Sequence, residues 1–260
     1  MRIGISTSCY YPQPTEEALA ILAGAGAPAL EVFFNTSSEL EPGYLRQLRR
    51  LADEAGAPIV SVHPYTSGME GLLFFSEYSR RFEDAREYYK RYYRAANLLG
   101  AGLLVFHGAF RHQTIEVEEY ARRLDILDAD ARAAGLRIGQ ENVDRNRSRD
   151  PDFMAQLHRL LPAQRFVLDL KQAVRAECDP LEMARAMGGG ITHLHLSDHT
   201  ADQDCLPPGQ GSFDFGALFR QLKEQGFAGT AVVELYRQNF GRQSDLDRGV
   251  AFAQQCQNLL

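Results

Sequence analysis

Short apolar and β-branched runs, each bounded by Gly, Pro or polar residues, recur along the whole chain. They predict strands over 2–8, 29–35, 58–65, 102–108, 136–143, 165–172, 191–198 and 230–236. Between these runs the apolar positions change to helical spacing. Tyr44, Leu45, Leu48, Leu51, Ala52 and Ala55 form one such stripe, and Phe82, Ala85, Tyr89, Tyr92, Tyr93, Ala96 and Leu99 form another. Asp150-Pro151 and Asp179-Pro180 each predict a helix start, because the acid caps free N–H groups and proline has none to leave unpaired. Gly100, Gly135 and Gly226 mark helix ends. A last helix is predicted over 244–260, with Leu246, Val250, Ala253 and Leu259 at helical spacing.

Eight strand and helix pairs in sequence predict a parallel sheet closed into a single (β/α)8 TIM barrel over residues 1–260, since right-handed crossovers lay the helices outside a curling sheet. No linker or low-complexity tract suggests a second domain. In such a barrel function gathers at the C-terminal ends of the strands.

Those ends carry polar chemistry. The third strand ends in SVHPY with His63 and the fourth in LVFHGA with His107. The fifth brings Glu141, the sixth Asp169 and Lys171, the seventh His195 and the eighth Glu234. Apolar strands rarely bury charge without a partner. Glu141, Asp169 and Glu234 aimed at a common axis would repel one another, and a divalent cation relieves that repulsion most directly. Three carboxylates and one imidazole suit Mn²⁺ or Mg²⁺ better than a structural zinc site, with Co²⁺ and Zn²⁺ as alternatives. In the seventh run, ITHLHLSDH, His193 and His195 share a face. His193 lies one pleat deeper and is expected to be a hydrogen-bonded core residue. Asp198 and His199 fall at the rim as expected substrate contacts. His112 and His158, in a loop and on a helix, are expected to be solvated.

Composition narrows the function. The chain is 45% hydrophobic and 24% charged, which suits a folded soluble protein. A formal net charge of −6 disfavours nucleic acid as a partner. Cys9, Cys178, Cys205 and Cys256 form no metal-binding spacing and are expected to be free thiols in a reducing compartment. With no apolar run of membrane-spanning length and no signal-peptide pattern at the N-terminus, a cytoplasmic location is expected.

The segments ENV, LDLKQA, HLHLSD, PPGQGSFDF and VVELY together make the chain resemble the xylose isomerase-like barrels over essentially its whole length. That superfamily includes sugar and keto-sugar isomerases and epimerases, inosose dehydratases and the endonuclease IV type of abasic-site nuclease. For the isomerase and epimerase branch the resemblance implies one divalent metal held by Glu141, Asp169, His195 and Glu234. It implies proton transfer on a small sugar, keto-sugar or polyol-derived ketone through a metal-stabilised enediolate, with Glu141 and Glu234 as paired acid and base. His63, His107, Lys171, Gln172 and Arg237 join Asp198 and His199 as expected substrate contacts.

Two positions depart from the family. Gln172 stands where many isomerases have a histidine, and Lys171 is not expected beside the metal aspartate. A Schiff-base role for Lys171 is disfavoured, because nearby carboxylates raise rather than lower its pKa. A nuclease reading uses His63, His107 and Glu141 as ligands of a further metal. That enzyme also needs the missing histidine and an Asp-x-His where this chain has Asp204-Cys205-Leu206. A dehydratase-like lyase is the nearer alternative. The loop TSGMEGLLFFSEYS after the third strand carries four adjacent apolar residues, Leu72 to Phe75, and is expected to be a lid or a homodimer contact. The glycines of PPGQGSFDF make no dinucleotide fingerprint and let a long loop turn before Asp214 caps the next helix. Arg111, Arg145, Arg237 and Arg242 are candidates for a phosphate.

Overall fold

In the computed structural model, which describes residues 1–258, parallel strands close into a barrel in chain order. They are β1 (Arg2–Ser6), β2 (Leu30–Phe33), β3 (Ile59–His63), β4 (Leu103–Phe106), β5 (Arg137–Glu141), β6 (Arg165–Asp169), β7 (Ile191–Leu196) and β8 (Thr230–Val233). Closure comes from β1 against β8, with Ile5 opposite Val233. Around them lie α1 (Thr15–Gly24), α2 (Pro42–Glu54), α3 (Glu70–Phe74), α4 (Ser79–Leu99), α5 (Val117–Ala133), α6 (Pro151–Leu160), α7 (Leu170–Arg175), α8 (Pro180–Met187), α9 (Phe215–Glu224) and α10 (Gln243–Asn258). Leu259, expected in the last helix stripe, lies outside the described residues.

The expected TIM barrel is the observed fold. Its strands stop earlier than their apolar patterns suggest. The sixth, expected over 165–172, ends at Asp169, whose Oδ1 accepts the backbone N–H of Gln172 at 3.0 Å and so starts α7. An aspartate followed by good helix formers caps a helix more readily than it extends a strand. Lys171 therefore stands in the first turn of a helix rather than one pleat beyond Asp169. His107 and Glu234 likewise lie just past β4 and β8.

The tyrosines of α4 pack onto the barrel as expected, with Tyr89, Tyr92 and Tyr93 buried. His158 departs from expectation. It is half-buried, edge-on to Phe166, and its Nδ1 has no hydrogen-bond partner. Burial lowers its pKa.

The loop after β3 is anchored as well as apolar. Phe74 and Phe75 turn inward, and Phe75 stacks on Tyr120 at 4.3 Å between centroids. Leu72 is 47% exposed. Glu70 is fully buried and ties α3 to the end of β4, accepting from the backbone N–H groups of His107 (2.6 Å) and Gly108 (2.9 Å) and from the Tyr89 hydroxyl (2.8 Å). Gly108 has φ +82°, and a Cβ there would lie 1.9 Å from the Tyr120 hydroxyl, so only glycine lets the chain turn beneath His107.

Burial pushes the Glu70 carboxyl up to about 8, against the pull of its three donors. A carboxyl raised in the folded state contributes stability that is complete below its ordinary range near 4.5 and is lost as pH climbs to about 8. Glu70→Gln keeps the shape without the charge. Urea unfolding at about pH 5 and about pH 8 should therefore show a smaller loss of unfolding free energy in the variant than in wild type. Equal losses would mean that Glu70 ionises in the fold without penalty.

Candidate functional site

The mouth of the barrel brings together the four residues expected as metal ligands. Glu141 and Asp169 close β5 and β6, His195 is the fifth residue of β7, and Glu234 follows β8 directly. One ligand atom from each lies within 4.8 Å of the others. His195 Nδ1 is 3.0 Å from Glu141 Oε1, 3.3 Å from Glu234 Oε2 and 3.5 Å from Asp169 Oδ2. Strand pairing sets this geometry, because Asp169 is the register partner of His195 and His195 of Val232, two positions before Glu234.

Lys171 completes the cluster. Its Nζ donates to Asp169 Oδ2 at 2.5 Å and to Glu234 Oε2. Burial disfavours the ammonium, but Asp169 and Glu234 outweigh it and hold the lysine well above its ordinary range. The same contest recurs on His195, where burial is overcome by Glu234, Glu31 and Glu141 and the imidazole pKa is raised well above its ordinary value. Burial raises Glu141, yet His195 and His107 keep it well below the carboxylate range. Glu234 is likewise lowered by Lys171 and His195 against burial. For Asp169 burial wins, and its pKa is raised despite Lys171.

These residues fit a divalent cation. Three carboxylates and one imidazole nitrogen converge as hard donors. Glu141 Oε2 is buried with no hydrogen bond, although His107 Nε2 lies 2.9 Å away. Its neighbours there are the His107 and His63 imidazoles, at 2.9 and 3.8 Å, and a divalent cation would answer the convergent carboxylate charge more fully than they do.

Sequence patterns missed the layer beneath. Glu31, in the middle of β2, is 0% exposed. Its Oε2 accepts from Ser61 Oγ at 2.8 Å and lies 3.2 Å from His195 Nε2 and 3.4 Å from His193 Nε2. His195 thus presents Nδ1 to the cluster while Glu31 holds its other nitrogen, the outer-shell arrangement that orients ligand histidines. His193 is the expected core residue, 2.7 Å from Thr230 Oγ1 and 3.3 Å from Ser61 Oγ. His63 and His107 face each other at 3.0 Å between Nε2 atoms and form a second group with Glu141. Burial lowers both imidazoles, but Glu141 and other acids carry His63 above its ordinary value while His107 stays below.

A cavity of about 570 Å³ opens over the cluster, lined by His63, His107, Lys171 and Gln172 together with residues not anticipated, among them Phe33 and Tyr236. Gln172 also accepts the Asp144 N–H through Oε1 at 3.1 Å. Asp198, His199 and Arg237, expected to touch substrate, do not line it. Asp198 is buried, and its two oxygens accept the backbone N–H groups of His199, Gly209, Gly211 and Phe213, which folds the long loop after β7. Arg237 donates to the Phe240 carbonyl and lies over the Phe240 ring. Arg145 lines the cavity, whereas Arg111 lies in a separate groove.

Residues 19–256 match the family described as xylose isomerase-like TIM barrel. The chain belongs to that family. It is 28% identical to an uncharacterised protein of Mycobacterium tuberculosis, over 90% of this chain and 89% of that one. It is 24% identical to fructoselysine 3-epimerase of Shigella flexneri, over 90% of each chain. The crystal structure of a D-tagatose 3-epimerase-like protein superposes with a TM-score of 0.79 at 20% identity, covering 100% of this chain and 98% of that one. Its similarity extends to the fold.

The buried carboxylate on β2 has a measurable consequence. If the cluster holds a divalent ion, Glu31→Gln should weaken its binding by about 10–100-fold, with Mn²⁺ as the probe, because His195 loses the carboxylate that orients it. Calorimetric titration of both proteins would check this, and an unchanged affinity would reduce Glu31 to a core acid.

Proposed function

We propose that the protein is a divalent metal-dependent isomerase or epimerase of a small sugar, keto-sugar or polyol-derived ketone. The observation that supports this reading most is the convergence of Glu141, Asp169, His195 and Glu234 beneath an open cavity. The fructoselysine epimerase relative and the D-tagatose epimerase-like fold agree with it.

A divalent ion bound there, Mn²⁺ by the hardness of the donors, would supply Lewis-acid stabilisation for the negative charge that develops on a carbonyl oxygen as its neighbouring carbon loses a proton. The chain's own residues do the rest. Glu141 and Glu234 enter from non-adjacent strands and each keeps a second oxygen outside the cluster. Glu141 Oε2 lies 2.9 Å from His107 Nε2, and Glu234 Oε1 accepts from Ser8 Oγ at 3.3 Å. In this reading either carboxylate would take a proton from one face of a substrate while the other returns one, as a general base and its conjugate acid. Phe33, stacked on His63 at 4.3 Å, gives the cavity a flat apolar wall for the C–H face of a sugar. Gln172 and Arg145 supply donors for its oxygens.

Solvent-hydrogen exchange tests the assignment. Wild-type protein loaded with Mn²⁺ should wash deuterium from D₂O into the α-carbon of a ketose substrate, and Glu141→Gln and Glu234→Gln should each slow this by about 10²–10⁴-fold. Exchange that persists in both variants would remove them from proton transfer. Water release with a new ultraviolet chromophore would identify a dehydratase instead. Removal of the metal with EDTA should abolish exchange, and Mn²⁺ should restore it.

A further inference from the structure

Lys171 Nζ sits on the oxygens that a metal would use. Asp169 has one oxygen already committed, since Oδ1 caps α7 through the Gln172 N–H. Its other oxygen, Oδ2, is the one that faces His195 Nδ1, and it is the one that Lys171 holds at 2.5 Å. Glu234 repeats the pattern. Its Oε2 faces His195 Nδ1 at 3.3 Å and is the atom that accepts from Lys171, while Oε1 turns to Ser8. Two of four ligand positions are therefore closed by an ammonium. The lysine is 3% exposed yet lines the open cavity, on a four-carbon stem that can swing into it. Tyr236, whose ring centroid lies 5.9 Å from Nζ, and the cavity's polar wall would receive it.

We propose that Lys171 is a tethered cation that competes with the divalent metal for Asp169 and Glu234, and that metal binding drives its ammonium out into the substrate cavity. The inference rests on the metal reading given above. It assigns the lysine two positions: over the carboxylates in the metal-free protein, and among substrate oxygens in the loaded one. A point charge on a flexible stem suits both, and a fixed guanidinium fork would not.

Mn²⁺ titration by calorimetry of wild type and Lys171→Met is the first test. Removing the competitor should tighten Mn²⁺ binding by about tenfold or more. Equal or weaker binding in the variant would overturn the inference and leave the metal reading intact. Failure of both proteins to bind Mn²⁺ would overturn both. Because three carboxylates without the lysine can prevent folding, a second measurement uses wild-type protein alone. The chain has three lysines, Lys90, Lys171 and Lys223. Acetylation with a water-soluble reagent, read peptide by peptide in the mass spectrometer, should label Lys171 slowly without metal and several-fold faster with Mn²⁺, relative to Lys90 and Lys223. Saturating Mn²⁺ with no change in Lys171 labelling would show that the ammonium stays on its carboxylates, which overturns the proposal.

Discussion

Glu31, Glu141, Asp169 and Glu234 are all buried at one end of an apolar barrel, and much of the local structure follows from having to answer their charge. An isolated carboxylate in such an interior costs far more than a fold can supply, so each must meet a cation or a set of donors. Lys171 answers Asp169 and Glu234, and His195 lies between Glu31 and Glu141. Placing those cations constrains the backbone. β6 must end at Asp169 so that the first turn of α7 returns Lys171 over it, and β7 must hold His195 in register with both neighbours.

The centre is consequently built in two tiers. The lower one joins the buried Glu31, Ser61 and His193 by hydrogen bonds and reaches the partly buried Thr230, with Glu31 Oε1 left without a partner. The upper one faces the cavity and sets Glu141 Oε2 against the His107 imidazole. His195 joins them, one nitrogen to each. The contact of His195 Nε2 with Glu31 orients the ring from below, so that Nδ1 points at the upper tier. Glu70 serves the neighbouring strand in a similar way. It seizes two backbone N–H groups at the end of β4 and thereby fixes where His107 leaves the sheet.

The barrel and the convergence of Glu141, Asp169, His195 and Glu234 were legible because each carries a signal that survives without coordinates. Alternating apolar runs and caps set the elements, and a charge at the end of an apolar strand is conspicuous. Glu31 carries the same signal within LEVFF but sits in mid-strand, and attention to strand ends passed over it. Glu70 lies in a loop whose apolar neighbours suggested a lid. Nothing local announces that its carboxylate will be swallowed by two amides and a tyrosine. Asp198 misled for the opposite reason. It follows a strand end as a catalytic acid would, but the direction in which the chain turns afterwards decides whether a side chain faces the cavity or the loop. Four loop N–H groups, from residues up to fifteen positions away, claim it. Such a partner set depends on how a glycine-rich loop closes, which spacing does not encode.

Lys171 also bears on what a metal does for this barrel. Structural zinc sites bind cysteines and histidines that have no other partner, and such domains unfold when the metal leaves. Here the chain supplies its own countercharge, so the carboxylates meet a cation as soon as the strands pair. On the proposal made for Lys171, a metal entering this centre would have to displace an ion pair that is already formed, and its net affinity would be the difference between two strong attractions. The free energy of that exchange would report on the site's chemistry, and the ion pair itself is part of what holds the upper end of the barrel together.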